Sequence, residues 1–247
     1  MKKGVSIIMK TLLVIPARYN SSRFEGKALA RIDGIPMICR TCEQSSKANV
    51  ERVVVATDDF RIKNIVEEYG FNCVMTDASH NTGTDRVAEV ARFENFDNII
   101  NVQGDEPIIH PETINLIVDS LKEEGVYNTH AATEISDPYD LIDSSVCKVS
   151  IGFNNYAVSL SRSPIPFPKS NINYTPYKTV GVYGYTNSFL QKFKDLTQRP
   201  IELVEEIEQL RTIEYGYKLK MVITPHDSIS VDFPVDIKRV EDKIRNL

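Results

Sequence analysis

The stretch Thr11-Leu12-Leu13-Val14-Ile15, with the Pro16-Ala17-Arg18-Tyr19-Asn20-Ser21-Ser22-Arg23-Phe24-Glu25-Gly26-Lys27 that follows it, decides the fold class of this chain. The first five residues are apolar on both faces of an extended backbone. A strand at the centre of a parallel sheet reads this way, because helices cover it on both sides. The loop behind it carries three cations, Arg18, Arg23 and Lys27, among small or flexible residues whose N–H groups can approach an anion. Doubly wound sheets bind their ligands at the carboxyl ends of such strands. Strand and loop together predict an architecture and the place in it where an anion sits.

Outward from this segment, helical and strand patterns alternate. A helix is expected over 36–47 and a strand over 52–57. An amphipathic helix follows over 60–69, with Ile62, Ile65, Val66 and Tyr69 on one face and Gly70 as its stop. A strand at 73–75, a helix at 84–93, a strand at 98–103 and a helix at 111–124 continue the series. The last helix opens on Pro-Glu and stops at Gly125. This order argues for an α/β, doubly wound, mostly parallel sheet. The second half changes character, with strand-like runs at 146–151, 157–160, 180–185 and 220–224 around a polar, Pro/Asn-rich stretch at 164–176. Helices are expected over 201–215 and 235–245. No repeat or long linker divides the chain, so one domain spanning 1–247 with an inserted β-rich sub-structure is the expectation.

Composition excludes several classes. The 247 residues, 42% hydrophobic, suffice for a sizeable core. The formal charge of −5, with basic residues scattered, offers no stripe to track a nucleic acid backbone. No stretch approaches the apolar length of a membrane span. Met1 to Ile8 superficially resembles a signal peptide, but Lys10 interrupts the apolar run and no small-residue cleavage site follows. Residues 1–9 read as a disordered leader or an alternative start at Met9, and the protein as cytoplasmic. Cys39 and Cys42 form a C-x-x-C with no second pair of ligands, so core cysteines are expected rather than zinc or redox chemistry.

The candidate site has two ends. Three cations on one loop suit a triphosphate, with arginines gripping oxygens bidentately. The loop is neither G-x-x-x-x-G-K-[ST] nor G-x-G-x-x-G, and an ordinary solvated loop remains the alternative. The second end is Asn101-Val102-Gln103-Gly104-Asp105-Glu106-Pro107, where Gly104 permits a sharp turn and Asp105 stands at a strand's carboxyl end. Mg²⁺ is usually held by one or two carboxylates together with substrate phosphates. Ser230-Val231-Asp232-Phe233-Pro234 offers the second acid, although Asp232 reads equally as a helix N-cap. The pair Asp58-Asp59 is taken as capping the next helix.

These segments, in this order, resemble the 3-deoxy-manno-octulosonate (Kdo) cytidylyltransferase family, also called CMP-Kdo synthetases. The resemblance runs from about Lys10 to the C-terminus. It is carried by Ile15-Pro16-Ala17-Arg18-Tyr19, Ser22-Arg23, Gly26-Lys27, Val55-Ala56-Thr57-Asp58, Gly83-Thr84-Asp85-Arg86, Asn101 to Pro107, Ser161-Arg162, Ile165-Pro166, Gly181 to Tyr185, Glu208-Gln209-Leu210-Arg211 and Val231-Asp232.

The resemblance implies a Rossmann-like nucleotide-diphospho-sugar transferase fold whose insert serves dimerisation and sugar binding. It implies a homodimer that joins CMP from CTP to the C2 hydroxyl of an acidic 3-deoxy-2-ulosonate, releasing pyrophosphate, as in lipopolysaccharide biosynthesis. Pro16, Ala17, Arg18, Lys27, Thr82, Gly83, Gln103 and Asp105 would hold the nucleotide. Asp105 and Asp232 would carry Mg²⁺, and Arg18, Lys27, Asp105 and Asp232 would be the catalytic set. Arg23, Arg86, Arg162, Thr179, Tyr185, Glu208 and Gln209 would face the sugar. The bland readings remain open beside these: surface ion pairs for Arg86 and Arg162, a half-buried strand tyrosine for Tyr185, and a solvated helix face for Glu208, Gln209 and Arg211.

Departures from the family pattern bear on the sugar. Thr179 replaces a histidine, Glu25 and Ala28 replace prolines, and Phe233 stands where Thr or Arg is common. Thr179 would accommodate a modified ulosonate such as 8-amino-Kdo. The rivals are a synthetase for a nine-carbon sialic-type acid and a non-catalytic nucleotide-binding protein. Of the histidines, His80 borders the nucleotide by sequence, while His110, His130 and His226 lie outside the acid-bearing motifs.

Overall fold

The structure is a computed structural model, and it describes residues 9–21 and 23–246. The leader or alternative start expected over 1–9 therefore lies, but for Met9, outside the described residues, as does Ser22 of the Ser22-Arg23 motif. Strand β1 (Thr11–Ala17) is followed by the small hairpin β2 (Arg31–Ile32) and β3 (Ile35–Pro36). Helix α1 (Met37–Ser45), β4 (Arg52–Thr57), α2 (Phe60–Glu68) and β5 (Cys73–Met75) come next. Then come α3 (Gly83–Arg92), β6 (Asn98–Val102), α4 (Pro111–Ser120) and β7 (Asn128–Glu134). The second half runs α5 (Pro138–Ile142), β8 (Lys148–Ile151), β9 (Ala157–Ser161) and the long β10 (Tyr177–Thr186). It closes with α6 (Asn187–Lys194), α7 (Pro200–Glu205), α8 (Leu210–Glu214), β11 (Lys220–Ile223) and α9 (Pro234–Arg245).

Seven strands form the sheet in the order β11-β7-β10-β6-β1-β4-β5, with β8 and β9 appended beside β10. β1 pairs parallel with both β4 and β6, and β10 runs antiparallel between β6 and β7. The double-faced apolar character of β1 is explained by its burial. Leu13 and Ile15 enter a core with Ile38, Val55, Ile62, Ile100 and Ile117, on the face covered by α1, α2 and α4. Leu12 and Val14 enter a second core with Val54, Val87, Ile99, Phe189 and Phe193, under α3 and α6. Successive side chains point to opposite faces, so both layers are fixed by one run of residues. Cys39 and Cys42 are free and fully buried, and burial pushes the Cys39 thiol up to about 12.

The second half departs from the expected elements. The helix expected over 201–215 is two short helices, α7 and α8, broken at Glu206, whose φ of 51° lies in the left-handed region. Strand β7 was not read from the sequence. It is buried on both faces, and Asn128, Thr129, His130 and Thr133 are buried polar residues that defeat a hydrophobic pattern. Helix α6, between β10 and α7, was likewise missed.

Candidate active site

The carboxyl ends of β1 and β6 open into a cavity of about 740 Å³. Its near wall is the loop after β1. Gly26, at φ 68°, turns the chain so that its N–H donates to the Tyr19 carbonyl at 3.0 Å, and Lys27 then starts a short 3₁₀ turn. The φ value explains the glycine, since a side chain is strained in that region. Pro16, Ala17, Arg18, Arg23 and Lys27 all reach the cavity.

Gly104 brings the next wall close. A Cβ built there would lie 2.9 Å from the Pro16 carbonyl oxygen and 3.3 Å from Ile38 Cδ1. The tight approach sets Asp105 opposite Lys27. Gly104→Ala must push the Asp105 loop away from β1, and we expect turnover to fall by on the order of 100-fold, because sub-ångström misplacement of reacting groups is costly. Steady-state kinetics on a variant with an unchanged circular dichroism spectrum checks this.

The two candidate metal carboxylates converge. Lys27 Nζ lies 2.7 Å from Asp105 Oδ2 and 3.5 Å from Asp232 Oδ1, and Arg23 Nη2 lies 3.1 Å from the same Asp232 oxygen. Asp232 is not the cap of α9. Asp236 Oδ2 accepts from the N–H groups of Asp232 and Phe233 instead, leaving the Asp232 carboxylate free to face the cavity. Behind Asp105, the buried carboxylate of Glu106 accepts from Gly181 N at 3.0 Å and Ser228 Oγ at 2.5 Å. Burial pushes its pKa up to about 7. Glu106 thus holds the Asp105 loop against β10 and against the segment leading to Asp232.

Helix α3 points its N-terminus at the cavity. Thr82 and Asp85 form a reciprocal capping box, while Thr82 and Gly83 line the space beside Gln103. A helix N-terminus favours negative charge. Gln103 Nε2 donates to Asn101, Asn101 donates to Thr84 Oγ1, and Thr84 Oγ1 donates to Glu208 Oε2 at 2.6 Å. Glu208 Oε1 is buried without a partner beside the cavity, and burial raises the pKa of its carboxyl.

The expected sugar-facing set divides. Arg23, Arg86 and Glu208 line the cavity. Arg86 is already committed, with Nη2 2.9 Å from Asp58 Oδ2 and Nη1 bonded to Thr76 Oγ1. That pairing corrects the reading of Asp58 as a cap; only Asp59 caps α2. Arg162, Thr179, Tyr185 and Gln209 do not reach the cavity. Arg162 spends its guanidinium on the carbonyls of Ser144, Ser145, Glu205 and Glu206, which clamps the turn before Glu208. Thr179 lies in β10 opposite Ala132, its N–H on the Cys147 carbonyl. Tyr185 is fully buried, and Gln209 Nε2 donates to its hydroxyl.

A further wall, not expected from the sequence, comes from α7 and its flanks, where Gln198, Glu202, Leu203 and Glu206 line the cavity. The signal was the nearness of this segment to Glu208. His80 borders the cavity, with its Nε2 on Glu89.

The family model described as Cytidylyltransferase matches residues 12–221. The chain belongs to the cytidylyltransferase family. Within it, the chain is 38% identical to a 3-deoxy-manno-octulosonate cytidylyltransferase of Fusobacterium nucleatum, over 96% of this chain and 98% of that one. It is 43% identical to an 8-amino-3,8-dideoxy-manno-octulosonate cytidylyltransferase of Shewanella baltica, over 96% and 99%. A solved structure of CMP:2-keto-3-deoxy-manno-octonic acid synthetase complexed with CTP superposes with a TM-score of 0.90 at 33% identity, covering 96% of this chain and 99% of that one.

Proposed function

We propose that this cytidylyltransferase joins CMP from CTP to the anomeric C2 hydroxyl of a 3-deoxy-2-ulosonic acid, Kdo or its 8-amino form, and releases pyrophosphate. The observation that carries the reading is the meeting of Asp105 and Asp232 on one cation, the Lys27 ammonium, at the mouth of the cavity. The names of the relatives and of the structural neighbour support the substrates.

Two carboxylates are a hard oxygen donor set of the kind Mg²⁺ takes alongside phosphate oxygens, and Lys27 already stands where they draw a cation. Bound by Asp105 and Asp232, Mg²⁺ would neutralise phosphate charge and lower the pKa of the attacking hydroxyl. The chain's own groups do the rest. Arg18, exposed at the rim, and Lys27 grip the triphosphate, and the N-terminus of α3 at Thr82 and Gly83 faces the same charge. Positioning and fixed charge supply most catalysis in transfers of this type. Arg23 suits the sugar carboxylate, and the unfilled Glu208 Oε1 accepts from a sugar hydroxyl. The exposed carboxylate of Glu206 on the α7 wall favours a substrate with an ammonium at its far end, which is the specific reason to keep the 8-amino sugar beside Kdo.

The assembly we infer is a homodimer. Phe153 and Phe167 are 88% and 82% exposed, with Val158 and Ile172 also exposed, on or near the β8–β9 hairpin and the 164–176 stretch. Such apolar exposure suits burial against a second copy. We place the enzyme in the cytoplasm, feeding an acidic sugar into lipopolysaccharide. None of the described helices is long and apolar enough to cross a membrane.

A pyrophosphate-release assay with CTP, Mg²⁺ and a panel of Kdo, 8-amino-Kdo and a sialic acid tests the reading. Release is expected with one or both eight-carbon acids. Release with the nine-carbon acid alone, or with none, contradicts it. In the same assay Lys27→Ala is expected to raise the CTP concentration needed for half-maximal rate by about tenfold or more, the loss of one charge-assisted contact.

A further inference from the structure

We propose that His110, Glu112 and His226 form a second cation site, for a transition-metal ion of the zinc class, which staples together the two segments that carry Asp105 and Asp232. One donor atom from each of the three residues lies within 4.8 Å of the others. The Glu112 Oε2 and His226 Nε2 atoms are 2.8 Å apart, and the two imidazole rings stack with centroids 3.5 Å apart at 17°. Two imidazoles and one carboxylate, with a remaining position open to water, match the borderline-soft ions that the all-oxygen Asp105–Asp232 pair does not select.

His226 Nε2 donates to Glu112 Oε2, so it must change tautomer or give up that proton to ligate, whereas His110 offers a lone pair as it stands. His110 caps α4 through Nδ1, which accepts from Glu112 N at a long 3.3 Å, so that nitrogen carries a lone pair rather than a proton. Imidazole lone pairs lie in the ring planes, so two nearly parallel rings do not aim at one point. Binding must swing at least one ring out of the stack. The side chains have room for this, Glu112 being 56% and His226 31% exposed. Bonds of about 2.0–2.1 Å at tetrahedral angles set donors about 3.3 Å apart, so the Glu112–His226 pair opens from 2.8 Å while donors now up to 4.8 Å apart close in. The cysteines do not compete, since burial pushes the Cys73 and Cys147 thiols up to about 11.

The place of the site gives it a role. His110 follows the Asp105 loop directly, and His226 lies at the start of the segment that ends at Asp232. These segments are already tied by Val231 N to the Asp105 carbonyl at 3.0 Å, by Ser228 to Glu106, and by Thr113 Oγ1 to Thr224 Oγ1 at 2.8 Å. A metal on the outer side adds a further tie and stiffens the spacing of the two aspartates.

Co²⁺ is the probe, titrated into the full chain with Mg²⁺ in excess so that the aspartate pair is filled. One equivalent is expected to bind with the visible absorption of low-coordinate cobalt and to raise the thermal midpoint. His226→Ala and Glu112→Gln are each expected to weaken that binding by more than about tenfold and to abolish the rise, with turnover in Mg²⁺ alone unchanged. The proposal is overturned if the wild-type chain binds no Co²⁺ below millimolar concentration, if His226→Ala binds it as tightly as wild type, or if a near-ultraviolet thiolate band places the ion on cysteine. Because the first readout is binding rather than turnover, it stands or falls independently of the sugar substrate.

Discussion

Asp105→Ala and Asp232→Ala are each expected to lower turnover by on the order of 10³-fold while leaving the fold intact, the effect of removing one fixed electrostatic partner of the reacting phosphate. The geometry makes the two variants equivalent. Both carboxylates meet Lys27, from loops that leave different strands, and neither is used to cap a helix. Stability should change little, within about 1 kcal/mol, because the ion pairs are partly solvated and Lys27 can turn to water. Circular dichroism and thermal melts beside steady-state rates separate the two effects. A variant that keeps near-wild-type turnover removes its aspartate from the site.

Arg211→Met is expected to destabilise the protein by about 3–5 kcal/mol, because it leaves a carboxylate buried without its partner. Arg211 Nε and Nη2 reach Glu202 at 2.8 and 2.5 Å, and both side chains are only 3% exposed. The guanidinium also lies over the Phe193 ring, 4.7 Å from its centroid. Glu202 belongs to α7, whose residues line the far wall of the cavity, so the same substitution should loosen the wall proposed to face the sugar. The expected pattern is a lowered midpoint in denaturant and a raised KM for the sugar acid, with the KM for CTP nearly unchanged. The double variant Arg211→Met with Glu202→Leu should recover part of the stability, since it removes the orphaned charge. Recovery would assign the loss to charge rather than to packing.

The sequence made the first half of the fold legible because burial there is achieved by apolar side chains. Thr11 to Ile15 face two cores, and the amphipathic run of α2 buries Ile62 and Val66. That the cationic loop after β1 and the two aspartates share one site was legible because residue type and chain position suffice to place them there, and all of them line the cavity. What escaped depends on direction. β7 is buried through Asn128, Thr129 and His130, so its pattern is polar although its environment is not. The helix expected over 201–215 has suitable periodicity, but Arg162 takes the carbonyls of Glu205 and Glu206 and the chain turns left-handed at Glu206. Tyr185 and Gln209 sit within matched motifs yet bond each other in the core, and Thr179 lies outside the cavity lining. A motif fixes which residues stand near a site. Which of them turn toward it is settled by partners far along the chain.

Binding of Mn²⁺ in place of Mg²⁺, followed by the paramagnetic resonance of the free ion with CTP present, measures the convergence of Asp105 and Asp232 most directly. A ternary complex of protein, Mn²⁺ and CTP is expected in the wild type, weakened by more than about tenfold in Asp105→Asn and in Asp232→Asn alike. Wild-type affinity in the Asp232→Asn protein would mean that the two carboxylates do not share a cation.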